Sequence, residues 1–149
     1  MHATVTPLEH LTIVQECTAL IARFAERTDA RDSDALADMF VEDGVFRRPT
    51  APDQPIQGRE AIRAGFAARP ANKMTRHIVT NTVVTVVDDN EATAVSYLIL
   101  YMATVAEGGG LPKADAKQLI GAFHDTIVRD AFLTWKFKER RGSLAMSVE

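Results

Sequence analysis

At 149 residues the chain is sized for one domain with a real core, and 46% hydrophobic with 25% charged residues is the balance of a globular protein. A formal net charge of -3, from 17 Lys plus Arg against 20 Asp plus Glu, gives no electrostatic footprint for nucleic acid. The lone cysteine, Cys17, excludes an intramolecular disulfide or a thiolate metal cluster, and no apolar run approaches the roughly 20 residues that span a bilayer.

The opening residues, Met1-His2-Ala3-Thr4-Val5-Thr6, lack a basic region followed by an apolar one, so the expected compartment is the cytoplasm. Thr6-Pro7 then reads as a helix start, with a hydroxyl at the N-cap, proline at the first helical position and Glu9 in the first turn. Leu8, Leu11, Ile13, Val14, Cys17, Leu20, Ile21, Phe24 and Ala25 recur at helical spacing, predicting one apolar stripe on a helix that runs to about Arg27. Asp32 and Ser33 are candidate N-caps for a second, short helix through Leu36, Met39 and Phe40. Val41-Glu42-Asp43-Gly44 turns into a short strand, Val45-Phe46-Arg47-Arg48, which Pro49 ends. Residues 50–57 read as a proline-containing loop, and Gly58-Arg59-Glu60 opens a third helix that buries Ile62 and Phe66 before Pro70.

Beyond Pro70 the period changes from helical to alternating, predicting strands at about 75–87, 91–105, 117–129 and 132–141. Hairpin turns join them, apart from a glycine-rich segment at 106–116 that reads as a mobile rim rather than a phosphate cradle. In the last strand Lys136, Lys138, Arg140 and Arg141 alternate with Trp135, Phe137 and Glu139, which reads as a solvent face. Short tails are expected at about 1–6 and 142–149. Helices first and a meander of strands second predict a single α+β domain over 1–149, with three N-terminal helices packed on a curved antiparallel sheet.

One strand opening stands out: Thr75-Arg76-His77-Ile78-Val79-Thr80-Asn81, where a histidine enters an apolar, β-branched run. Strand alternation places Asn81 on the face of His77, either to orient a ligand carbonyl or to bridge backbone groups. Tyr97 and Tyr101 fall on the opposite face. Together with Phe123 they suggest a homodimer through the sheet face. His124 and Asp125 are adjacent, so in a strand they point to opposite sides. The four histidines, His2, His10, His77 and His124, show no metal-ligand spacing, so no metal is expected.

Several pieces of the chain resemble, in order and spacing, the SnoaL-like branch of the nuclear transport factor 2-like superfamily. They are Ala25-x-x-x-Asp29-x-x-Asp32-x-x-Ala35-Leu36-x-x-x-Phe40-x-x-Asp43-Gly44-x-Phe46, Gly58-x-x-Ala61-Ile62, Arg76-His77-x-x-x-Asn81, Gly121-x-Phe123-x-Asp125 and Trp135-x-x-x-x-Arg140-Arg141. The resemblance implies a cone-shaped α+β barrel around a pocket, and it supplies three catalytic patterns. The ketosteroid-isomerase type needs a tyrosine and an aspartate where this chain has Phe24 and Arg48, which can neither donate a hydroxyl nor accept a proton. The limonene-epoxide-hydrolase type needs an Asp-Arg-Asp set that the sequence does not place. The scytalone-dehydratase type uses an aspartate after the first helix and a histidine opening the long strand, and Asp29 and His77 match them. The family's tyrosine before that aspartate is Thr28 here, and its second histidine falls near Met102.

The resemblance therefore implies a cofactor-independent lyase or isomerase, dehydratase-like, acting on a small apolar carbonyl compound. His77 would be the general acid/base and Asp29 its orienting partner. Phe24, Val79, Leu98, Leu100, Met102, Trp135 and Phe137 would form the apolar wall, Trp135 and Phe137 reading as core first and wall second, with Asn81 as a polar contact. The alternative is a catalytically silent binding or assembly module on the same cone, in which Asp29 caps a helix and His77 serves the strand.

Overall fold

The computed structural model describes residues 4–149, so His2 and the first half of the expected N-terminal tail lie outside the described residues. Helix α1, Pro7–Asp29, starts where its capping chemistry dictates: the Thr6 hydroxyl accepts from the Glu9 amide while the Glu9 carboxylate accepts from the Thr6 amide. Its stripe buries Ile13, Cys17, Leu20, Ile21 and Phe24, whereas Leu8 and Leu11 are exposed. Burial of each large apolar side chain stabilises by about 1.5–3 kcal/mol, so this stripe is what docks the helix. Phe24 sits at its centre, meeting the rings of Phe40, Phe46, Phe66, Phe123 and Phe137 at centroid distances of 5.7 to 6.4 Å.

The turn after α1 has Arg31 at φ 61°, and its guanidinium donates to the Lys73 and Arg69 carbonyls, tying the helix end to the start of the long strand. Helix α2, Ser33–Asp38, is capped by Asp32, whose carboxylate accepts from the Ala35 amide. Strand β1 then spans Phe40–Arg48, longer than expected and taking in Phe40. Residues 50–57 are not a loop: Ala51–Gln57 forms β2, antiparallel to β1. Its prolines disguised it, and they are tolerated because β2 is an edge strand with one unpaired side. Helix α3, Arg59–Ala67, buries Ile62.

Strands β3 (Lys73–Val86), β4 (Glu91–Thr104), β5 (Gln118–Arg129) and β6 (Trp135–Val148) complete a curved, unclosed six-stranded sheet in the order β2-β1-β6-β5-β4-β3. The sheet is mixed rather than purely antiparallel. The last strand inserts beside the first, and β1 runs parallel to β6 while the other neighbours are antiparallel. The tail expected after Gly142 is instead the second half of β6, paired with β5 as far as Val148 opposite Gln118. Long-range pairing to a waiting partner holds it, which local composition does not reveal. Helix α1 covers the β3 side of the inner face, and no helix among the described residues is long and apolar enough to cross a membrane.

Bulges interrupt the simple alternation. In β3 one extra residue lies between Thr80, opposite Tyr97, and Val83, opposite Val95. In β6 Lys138 is the extra residue between Phe137, opposite Ile127, and Glu139, opposite Thr126. Each reverses which side chains face inward beyond it.

Candidate active site

Asp29 ends α1 and His77 lies in β3, and the two are in direct contact. His77 Nδ1 is 2.6 Å from Asp29 Oδ1, and the His77 backbone amide donates to Asp29 Oδ2 at 2.9 Å. The Thr75 hydroxyl donates to Asp29 Oδ1 at 2.9 Å, and Arg69 in turn donates to Thr75 Oγ1 and to the Thr28 carbonyl, both at 3.2 Å. The Asp29 side chain is only 8% exposed and that of His77 16%. Burial by itself pushes the Asp29 carboxyl up, but the hydrogen bonds from the His77 ring and amide, the His77 charge and the Thr75 hydroxyl together hold it below the usual carboxylate range. An ionised Asp29 fixes the His77 proton on Nδ1. Nε2, which has no hydrogen-bond partner among the described residues, then presents a lone pair.

His77 lines a cavity of about 480 Å³ between α1 and the inner face of the sheet, within the range of small-molecule sites. Phe24, Val79, Leu98, Leu100 and Met102 form part of its apolar wall. Leu100 stands directly opposite His77, and Met102 opposite Thr75, so the strand pairing is offset by two residues from the expected 77-to-102 match.

Other expected site residues lie elsewhere. Asn81 is turned out of the cavity. It sits in the β3 bulge at φ 53°, exposed, and accepts from the Thr80 hydroxyl at 3.0 Å. Phe137 and Trp135 are buried without lining the cavity: Phe137 pairs with Phe40 and packs on Phe24, and Trp135 lies beneath the Arg129 guanidinium. The β6 bulge carries the strand past them before it reaches the cavity wall. Phe123 is not on the outer sheet face; it is buried and lines the cavity, while Tyr97 and Tyr101 do face outward.

Arg140, expected on a solvent face, is 1% exposed and lines the cavity. The extra residue Lys138 is the reason, since it swaps the parity of everything after it. Arg140 Nη1 donates to Asp125 Oδ2 at 3.2 Å, and the Phe24, Phe123 and Phe137 rings surround the guanidinium at 4.5, 3.9 and 4.8 Å. Burial pushes the Asp125 carboxyl up to about 6 against the pull of Arg140. A signal for this pair existed: Gly121, Phe123 and Asp125 share one strand face, and a carboxylate beside Phe123 requires a cation. Among the described residues, no three His, Cys, Asp or Glu side chains converge as a metal site.

Residues 9–141 match the family described as SnoaL-like domain. The chain belongs to the SnoaL-like family. No curated protein matches it in sequence. Among solved structures, a protein provisionally assigned as a scytalone dehydratase from Novosphingobium aromaticivorans is 21% identical, with a TM-score of 0.77 over 96% of this chain and 91% of that one. ActVI-ORFA from Streptomyces coelicolor is 22% identical, with a TM-score of 0.72 over 90% of this chain and 98% of that one. A hexachlorocyclohexane dehydrochlorinase, LinA type 2, is 16% identical, with a TM-score of 0.78 over 96% and 92%. At these identities the likeness is one of fold, and the SnoaL-like cone is shared along nearly the whole of each chain.

Proposed function

We propose that the protein is a cofactor-independent lyase or isomerase of the dehydratase kind, acting on a small, mostly apolar carbonyl compound held in the cavity. The observation that carries this reading is His77, bonded through Nδ1 to a buried, ionised Asp29 and lining a mostly apolar cavity, with an Nε2 that has no partner among the described residues. Nε2 removes the proton α to the carbonyl, and the C–H electrons pass into an enolate. As that enolate collapses, the β-carbon–oxygen bond breaks, and the departing hydroxyl takes the proton back from Nε2–H to leave as water. Return of the same proton to another carbon is an isomerisation. Asp29 stays ionised throughout, orienting the ring and offsetting the imidazolium charge, while Thr75 and Arg69 hold the carboxylate in place.

Names carried by fold neighbours, a dehydratase and a dehydrochlorinase, support elimination as the reaction class. A second reading, a silent ligand-binding member, is favoured by Thr28 and Leu100. Thr28 spends its hydroxyl on the Phe24 carbonyl at 2.7 Å, and Leu100 faces His77 where a second acid would stand. Turnover decides between them. His77→Ala should unfold like the wild type and lose conversion of any compound that the wild type eliminates or isomerises. A His77→Ala protein with undiminished turnover would remove His77 from the chemistry.

A further inference from the structure

The apolar wall of the cavity is interrupted by positive charge that the proton transfers do not use. Arg48, Arg69, Lys73 and Arg140 line it against one carboxylate, Asp115, in a chain whose net charge is -3. Lys73 and Arg69 are already committed, the first to the Thr104 hydroxyl and the second to Thr28 and Thr75. Arg48 and Arg140 each have one protein acceptor and further N–H donors to spare. Arg140 lies opposite Phe46 across the parallel β1–β6 ladder, and Arg48 follows two residues later on the same face of β1. Both residues thus stand on one wall of the cavity, two positions apart along the ladder.

Each guanidinium has five N–H donors. The structure gives Arg48 one protein acceptor, the Gly65 carbonyl at 3.2 Å, and no carboxylate partner among the described residues. It gives Arg140 one as well, Asp125 Oδ2, and leaves Arg140 Nε buried without a partner. The Arg140 Nε, buried without a partner, is costly, and the remaining donors of both arginines are open to a ligand acceptor. Burial, then the charges of Arg31 and Arg48, lower the proton affinity of Arg69 against the pull of Asp29. A ligand acceptor carrying negative charge would satisfy the donors that face the cavity and offset their charge. Within the Arg48–Arg140 pair Asp125 offsets one charge, so a monoanion suffices to balance the other. The three phenylalanine rings around Arg140 fix its plane, which favours the forked geometry that carboxylates match.

We propose that the cavity takes a carboxylate-bearing ligand, its acid group held by Arg48 and Arg140 and its apolar body lying along Leu98 and Val79 toward His77. This rests on the acid–base reading only for which end of the ligand reacts. The test is calorimetric titration at pH 7.5 with 2-naphthoate and its neutral counterpart 2-naphthamide. The wild type is expected to bind the acid at least tenfold more tightly than the amide, and Arg48→Gln to bring that ratio to within threefold of one. The double variant Arg140→Met, Asp125→Leu, which leaves no orphaned buried charge, should do the same. His77→Ala should keep the preference. A wild-type ratio near one, no binding of naphthoate at millimolar concentration, or a ratio indifferent to both arginine changes overturns the proposal. Loss of the acid preference in Arg48→Gln alongside undiminished turnover in His77→Ala would sink the acid–base reading and leave this one standing.

Discussion

Replacing Asp29 by asparagine tests the core of the site without changing its shape. Asp29 accepts three hydrogen bonds: the His77 ring and the Thr75 hydroxyl at Oδ1, and the His77 amide at Oδ2. An asparagine has one acceptor oxygen, so both sides cannot be served. With the oxygen in the Oδ1 position, the amide NH₂ faces the part-buried backbone N–H of His77 across 2.9 Å, leaving a donor unsatisfied at up to about 1–3 kcal/mol. With the oxygen in the Oδ2 position that loss is avoided, but the NH₂ then points at His77 Nδ1 and the imidazole must move its proton to Nε2. The second arrangement costs less and should prevail. The free nitrogen facing the cavity becomes a donor, useless as a base, and turnover should fall on the order of 10²–10⁴-fold. Replacing charge-assisted bonds by neutral ones should also cost about 1–2 kcal/mol of stability. Nitrogen NMR of ¹⁵N-labelled histidine at pH 8 reads the tautomer directly, with no need for a substrate. If Asp29→Asn keeps the proton on Nδ1 and turns over normally, the orienting role assigned to Asp29 is wrong.

The pH dependence of stability should carry the same signature. Because the Asp29 carboxyl is held below its ordinary value, its ionised contacts stabilise the fold above about pH 4 and are lost as pH falls through the lower, folded value. The stability gap between wild type and Asp29→Asn, measured by urea unfolding, should therefore narrow below that pH; a gap unchanged down to pH 3 contradicts it. Arg140→Met alone leaves Asp125 buried and unpaired and should cost about 3–5 kcal/mol, whereas pairing it with Asp125→Leu should recover most of that loss. Equal losses in the single and double variants would show that the pair is not coupled. Gly121→Ala should destabilise by about 1–3 kcal/mol or more, since a Cβ there would lie 2.2 Å from the Ser143 carbonyl oxygen where β6 bulges against β5; near-normal stability would mean that the bulge relaxes freely. Finally, the outer sheet face carrying Tyr97, 52% exposed, with Ile78 and Tyr101 is proposed as a homodimer surface. Light scattering should show a dimer at micromolar concentration that Tyr97→Glu converts to monomer, and a monomeric wild type refutes it.

Much of this molecule was written locally. Thr6, Pro7 and Glu9 set the start of α1, Asp32 capped α2, and the switch from helical to alternating period at Pro70 announced the long strands. These depend on neighbours within a few residues, so composition and spacing reveal them. The positions of Asp29 at a helix end and His77 in a strand were legible for the same reason, although their 2.6 Å contact needed the fold. What stayed hidden depends on partners far away in sequence. Ala51–Gln57 became a strand because β1 offered an edge, and residues beyond Gly142 because β5 was waiting. The sharpest cases are the bulges. A single extra residue in β3 turned Asn81 outward, and another in β6 took Arg140 from the expected solvent face into the cavity. Alternation along a strand says that two faces exist. Which face meets the core beyond a bulge is settled by cross-strand pairing, and here that choice decided which polar groups line the cavity.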